Sequence, residues 1–475
     1  MAYSRGTGRK RRSSERRGLS LIEVMTAITI TLLMLAALIR FFREVGEQVT
    51  QGRASLEDSA RIRVAVTTLQ RDLKGVTVSV RPWSTQSSGQ GYFEIGDGIE
   101  HDFSRHQNPP VATDDTIIGD FDDYICMTVH REEPFVGRVQ AQVAGQAGTG
   151  YVTIESNYAE IIYWLQLEND NGNGVWDPGL GELFTLRRRV LLIRPDLNLN
   201  ATSVLSTLAP VPFWNDNDLS VHLAVFPGTP PTTGLRANSL ADLSRRENRV
   251  AHVGRDGVFP YLFDPTRLPA LTGTYEGEDV LLPRVLGFDV RVFDPLAPLI
   301  SMDPTNSAEE IMQPGDVGFP PAFDPDSQDN LIVGRGAYVD LAYQQKLGLH
   351  NNMALPAQTT FGALPNVRSG LSRAALYPSI TTNSLIFSTY DTWSYEYEHD
   401  GINQPSLGAF PSPQLDEGTD GFDNNNNLRV DEPEERETSP PYTAPLRGIR
   451  VTIRMLDQST QQMKQMTVNH DFTPE

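Results

Sequence analysis

Cysteine is nearly absent from this chain. Of its 475 residues only Cys126 carries a thiol, so no intrachain disulfide can form, and packing, with or without bound metal ions, must hold the fold. No H-E-x-x-H, G-x-x-x-x-G-K-[ST], G-x-S-x-G or C-x-x-C string occurs, which removes the usual signs of zinc hydrolysis, phosphate binding, serine nucleophiles and thiol redox chemistry. His101, Asp102 and His106 are the nearest approach to a metal cluster, and they sit in a polar loop beside Pro109 and Pro110. Cys126 lies in a strand-like apolar segment, where an inert buried thiol is the expected reading. The run Tyr390, Trp393, Tyr395 and Tyr397 fits either a contact surface or packing at a strand edge. Nothing in the sequence supports catalysis.

Basic residues are also scarce, 40 against 60 acidic, for a net charge of −20. Their placement is uneven: residues 1–18 hold Arg5, Arg9, Lys10, Arg11, Arg12, Arg16 and Arg17 against Glu15 alone. A body so acidic repels nucleic acid, whose binding needs Lys and Arg on its phosphates. Hydrophobic residues make up 39% of the chain, enough for a sizeable core.

One apolar run is long. From Leu19 to Ile39 it would form a helix of about 31 Å, sufficient to cross a bilayer. The basic flank before it places the leader on the cytoplasmic side and the acidic body outside. Glu23 interrupts the run near its start, and a carboxylate there needs a partner or a use. A cleaved secretory signal would have a shorter apolar core and a small-residue cleavage site, both missing here. A simple uncleaved anchor accommodates the length, but explains neither Gly18 nor Glu23.

Gly18, Leu19, Ser20, Leu21, Ile22, Glu23 and Val24 resemble the type IV prepilin signature: a basic leader, a boundary glycine, a glutamate five residues on and an unbroken apolar span. The family usually has phenylalanine where this chain has Leu19. The resemblance implies that a prepilin peptidase cuts between Gly18 and Leu19, that Leu19 becomes the N-methylated first residue, and that Glu23 meets the α-amino group of a neighbouring subunit. Pairing two charges that lipid disfavours would set the axial register of an assembly.

Past Arg40, apolar residues at Val45, Val49, Leu56, Ala60, Val66, Leu69 and Leu73 recur at helical spacing. Lys74 and Gly75 supply a basic last turn and a glycine stop. The helix is thus expected from Leu19 to Lys74, about 84 Å, with Gly46 and Gly52 weakening it locally. The pattern then alternates, predicting strands at Val76–Val80, Tyr124–Val129, Glu160–Leu167, Leu183–Ile193, Val285–Phe293, Ser384–Thr389, Ile449–Leu456 and Met463–Val468. The expected class is α+β: a pilin-like long helix, membrane-spanning and then amphipathic, on an antiparallel β-rich head. The organisation read from the chain is a leader at 1–18, a transmembrane helix at 19–39, an amphipathic helix at 40–75 and a head at 76–475. Insertions are expected near 200–280, 295–375 and 398–444; Phe226 to Gly234 and Pro314 to Asp326 read as surface segments too polar to be core.

Parts of the head are similar to the J-type minor pseudopilin of type II secretion. They are Ile161–Trp164 with Gly181–Arg188, Phe288–Asp294, and Pro445–Thr452. That resemblance implies an inner-membrane, single-pass subunit with a periplasmic head. It would assemble with other pseudopilins through N-terminal helices at a pseudopilus tip that supports protein export. A minor pilin of a type IV pilus, used in adhesion or DNA uptake, is the alternative within the class. A membrane-anchored surface-binding protein is the alternative outside it.

Two loops suggest structural calcium. Asp423, Asn425, Asn427 and Asp431, with Glu434 eleven residues from the start, imitate a calcium loop, although Leu428 stands where glycine is usual. The second, Asn169, Asn171, Asn173 and Asp177, has Gly174 at the turn but lacks the closing acid at the expected distance. An acidic solvated loop and an Asn/Gly-rich hairpin turn are the competing readings.

Overall fold

The computed structural model describes residues 20–82, 89–98, 120–168, 182–198, 205, 210–226, 232–252, 261–268, 270–271, 273–301, 311–316, 319, 332–344, 360–363, 388–392, 421, 423, 426–430, 440–457, 460 and 462–472. The chain divides into two compact units, residues 1–58 with 458–460, and residues 59–457 with 461–475.

A single helix, α1 (Leu21–Lys74), opens the fold. In the first unit its large apolar side chains face outward on every side; Leu21, Ile22, Met25, Leu33, Ile39 and Phe42 are each more than half exposed. In the second unit the same helix has one buried face. Ile62, Ala65, Val66, Leu69 and Leu73 are almost wholly covered, at steps of three and four that align them along one stripe. The helix stops where the sequence predicts. A side chain on Gly75 would meet the His130 carbonyl at 2.5 Å and Val129 Cγ1 at 2.7 Å, so only glycine lets the chain turn here against the neighbouring strand.

Among the described residues, nine strands form one antiparallel sheet in the second unit. They are β1 (Phe93–Asp97), β2 (Tyr124–Gln140), β3 (Tyr151–Glu168), β4 (Leu183–Leu192), β7 (Val280–Ile300), β8 (Ile332–Val339), β9 (Ser388–Asp391), β10 (Gly448–Asp457) and β11 (Gln462–Asp471). The order is β11-β10-β7-β4-β3-β2-β1-β9, with β8 on the second half of β7. The intervening β5 (Val221–Phe226) and β6 (Thr232–Ala237) pair with each other as a separate ribbon.

Both faces of this sheet are covered at its centre, over β1, Tyr124–Val129 of β2 and Ala159–Leu165 of β3. Opposed residues Ile125 and Tyr163, Met127 and Ile161, and Val451 and Val290 are buried on the helix side. The alternate residues Cys126 and Ile162, with Glu160, turn to the other side. There the segment between β4 and β7 packs on them, through a short helix, α2 (Pro210–Asp216), the ribbon and several 3₁₀ turns. It contributes Phe213, Trp214, Leu219, Leu235, Leu243, Val250 and Phe263 to the core. Two-sided burial explains why β2 and β3 read as continuous apolar runs and not as strict alternation.

The α+β class and a long helix packed on an antiparallel sheet therefore hold. Several expectations need correction. The insertion expected near 200–280 is a covering layer with its own core residues, and Phe226, in a stretch read as surface, is buried. Its apolar residues are spaced by turns and prolines, so no helical or strand period betrays them. Val76–Val80 is not a strand: Val76 makes one isolated bridge to Val129. Strands β1, β5, β6 and β8 were not foreseen. The strand expected at Ser384–Thr389 appears as Ser388–Asp391, with 384–387 outside the described residues.

Candidate functional site

The residue that the sequence marks most strongly, Glu23, lies in the first turn of α1. Ser20 N–H donates to Glu23 Oε2 at 2.9 Å, and Glu23 N–H donates to Ser20 Oγ at 3.3 Å. This is a reciprocal capping box, in which a serine at the cap and a glutamate three residues on satisfy one another's backbone donors. The serine-to-glutamate spacing before an apolar run is itself the sequence sign of such a box, so this local role of Glu23 is legible in the sequence. Both groups are exposed. The carboxylate thus has a local partner and remains accessible to an external one. Gly18 and Leu19 lie outside the described residues.

Beyond this cap, α1 (Leu21–Lys74) is long and apolar enough, over an 18-residue stretch, to cross a membrane. In contrast to an amphipathic helix, that stretch leaves no polar face that water would prefer.

Of the first calcium-like loop, Asp423 and Asn427 are described, while Asn425, Asp431 and Glu434 are not. Asp423 accepts the Asn427 N–H at 3.0 Å and the Leu428 N–H at 2.6 Å. Asn427 Oδ1 accepts the Arg429 N–H at 2.9 Å. Leu428 adopts φ 72°, a left-handed turn that normally favours glycine. The chain therefore turns sharply at Leu428 despite its side chain. The second loop, Asn169, Asn171, Asn173 and Asp177, lies outside the described residues, as do His101, Asp102, His106, Trp393, Tyr395 and Tyr397. Tyr390 is buried and donates to the Val80 carbonyl at 3.2 Å, so it serves packing.

Charge is gathered elsewhere, between the sheet and its covering layer. Glu94 of β1 and Asp391 of β9 face Arg246, Arg249 and His252, all with no exposed side-chain surface. Arg249 lies 2.9 Å from Glu94 and 2.8 Å from Asp391, and its guanidinium stacks over Tyr92. Tyr124 O–H donates to Glu94 at 2.8 Å. Beside them Glu160 of β3 accepts from Tyr92 O–H, Ser220 O–H and Val250 N–H. Burial alone would push the Glu94 carboxyl up, but Arg246, His252 and Arg249 outweigh it and hold the group well below the usual carboxylate range. Burial does prevail at Glu160, whose neutral donors offset it only in part, and its value is raised. Burial likewise pushes the Cys126 thiol up, away from the thiolate that a nucleophile needs.

The network was invisible in the sequence, because Glu94, Arg249 and Asp391 are far apart in the chain. It joins the covering layer to the sheet by pairing Glu94 and Asp391 of the sheet with Arg246 and Arg249 of the layer. A second gathering of carboxylates, Asp97, Asp120 and Asp123, lies at the end of β1 and the approach to β2. No family model, curated protein or solved structure matches this chain.

Proposed function

We propose that this chain is a pilin-like subunit, anchored by α1 in the cytoplasmic membrane, that assembles through the same helix into a short filament, as a minor pseudopilin of type II secretion. The observation that carries this reading is the first part of α1. A run of apolar side chains exposed on all sides begins at a cap formed by Ser20 and Glu23, directly after the Gly18–Leu19 boundary. Lipid accommodates such a surface in an isolated subunit, and neighbouring helices accommodate it in a filament.

In this reading a prepilin peptidase removes residues 1–18 and Leu19 is N-methylated. The exposed Glu23 carboxylate then receives the α-ammonium of the adjacent subunit. The head lies on the periplasmic side and has a binding rather than a catalytic role. Its partners are other pseudopilins, and nucleic acid is not among them.

N-terminal sequencing and intact mass of protein purified from membranes test the proposal. A chain beginning at N-methylated Leu19 is expected. An intact Met1, or a cut after Ile39, would remove the basis for filament assembly. Loss of export on deletion of the protein, with pili intact, would separate the pseudopilus from a type IV pilus.

A further inference from the structure

Three carboxylates converge where the sequence offers no metal motif. Asp97 ends β1, while Asp120 and Asp123 lie on the segment entering β2; one oxygen of each lies within 4.8 Å of the others, and all three residues are buried. That separation is no more than two calcium–oxygen bonds of about 2.4 Å. Their other contacts fix them from several directions. Asp123 Oδ2 accepts the Val290 N–H of β7 at 2.6 Å. Asp97 Oδ2 accepts the Leu341 N–H beyond β8. Asp120 Oδ1 accepts the Asp122 N–H at 3.3 Å.

A separate observation comes from β9. Ser388 is directly opposite Asp97 in the antiparallel register, so the two side chains stand on the same face. Ser388 is fully buried, and its Oγ makes no hydrogen bond. A buried hydroxyl beside carboxylates would ordinarily donate to one of them, because an unmade bond there costs about 1–3 kcal/mol. On the face it shares with Asp97, its oxygen is instead left unpartnered.

We infer that Asp97, Asp120, Asp123 and Ser388 form a binding site for one divalent cation, with calcium the best match. The donors are all oxygen, which selects a hard ion over zinc or copper. Two positive charges at the centre offset the repulsion among three carboxylates held so close. Bound there, the ion ties β1, the start of β2 and β9 together, and through the backbone bonds to Val290 and Leu341 it reaches β7 and the residues after β8. It would act as the crosslink that a chain with one cysteine cannot make covalently. The site is distinct from both Asn/Asp loops and does not depend on the filament assignment.

The experiment uses the full chain in detergent, stripped of metal with chelator and carrying Asp423→Ala and Asp177→Ala to disable the two loops. Bound calcium is measured by equilibrium dialysis. One equivalent per chain is expected, lost on adding Asp120→Asn and reduced at sub-saturating calcium on adding Ser388→Ala. Asparagine can still accept the Asp122 N–H, and the serine change removes a single oxygen, so at least one variant should keep the near-ultraviolet dichroism of the parent. No bound calcium in the loop-disabled protein, or one equivalent retained at unchanged affinity in a folded Asp120→Asn or Ser388→Ala variant, would overturn the assignment.

Discussion

Tyr163 in β3 donates its phenolic proton to Asp72 in α1 at 2.5 Å, although 91 residues separate them in the chain. The same carboxylate pairs with Arg131 of β2 and with Arg188 of β4 at 2.7 Å, and has no exposed side-chain surface. One acid near the end of α1 is therefore fastened to three adjacent strands. The apolar stripe Ile62, Ala65, Val66, Leu69 and Leu73 supplies area, but sliding by one turn would still bury apolar groups. The polar pin makes that register shift unfavourable. Asp72→Ala strands two guanidinium groups and a buried phenol, and is expected to destabilise the head by about 3–5 kcal/mol. Chemical unfolding would measure this; a loss below about 1 kcal/mol would show that packing alone fixes the helix.

The end of that helix rests on a missing side chain. Gly75 approaches the His130 carbonyl so closely that a β-carbon cannot fit without moving β2. His130 N–H also donates to the Gly75 carbonyl at 2.7 Å, which resists that movement. Gly75→Ala is expected to lose about 1–3 kcal/mol through overpacking, although alanine is the better helix former. The exposed Gly52, whose β-carbon would meet nothing within 4 Å, gives the control: Gly52→Ala should be neutral or slightly stabilising. Equal effects at the two positions would refute the steric account.

What could be read from the sequence follows from locality. The helix from near residue 20 to Lys74 was legible because capping, apolar period and glycine stop all lie within the segment. Long strands were legible for two reasons: burial on both faces makes the middle of β3 an apolar run, whereas β10 alternates Ile449, Val451, Ile453 and Met455 with Arg450, Thr452 and Arg454. By contrast, β1 and β9 are short and carry buried acids: Glu94 and Asp391 look like loop residues until their arginines are brought to them by folding, and Asp97 until the Leu341 N–H is. The layer between β4 and β7 failed for a related reason: residues such as Phe213, Leu243 and Phe263 anchor irregular turns, and irregular turns have no period. For the candidate sites, Glu23 could be found because its misplacement is local. The juxtaposition of Asp97, Asp120, Asp123 and Ser388 depends on strand register across nearly 300 residues.

The buried ion network gives the head a pH dependence whose sign can be worked out. Glu94 has a folded value well below its unfolded one, because Arg246, His252 and Arg249 outweigh burial. Its contribution is present above the unfolded carboxyl range of about 4.3 and is lost as pH falls through the folded value. Glu160 is shifted the other way; it favours the fold below the unfolded range and opposes it as pH rises through the folded value. The acid loss is therefore Glu94's. Glu94→Gln should lower stability at pH 7, leaving Asp391 to balance two arginines, and should reduce the difference in stability between pH 7 and pH 3. Unfolding curves at the two pH values measure that difference, and an unchanged difference in the variant would place the acid sensitivity elsewhere.

The two roles assigned to Glu23 make opposite demands, and that permits their separation. The capping box needs a side-chain oxygen at position 23 and a hydroxyl at position 20, whereas the proposed filament register needs a negative charge. Glutamine satisfies the first demand and not the second, because an amide oxygen can still accept the Ser20 N–H at the distance Glu23 now spans. Glu23→Gln should therefore insert normally, keep its first helical turn and fail to enter filaments. Ser20→Ala removes the cap, which is worth about 1 kcal/mol, yet leaves the charge, so it should fray the helix start while still being incorporated. Cross-linking of each variant to co-expressed wild-type subunits in membranes reads incorporation. Circular dichroism of peptides covering residues 19–45 in micelles reads helix content. If Glu23→Gln is incorporated as well as the wild type, Glu23 is a helix cap and the register of any assembly must be set by another group.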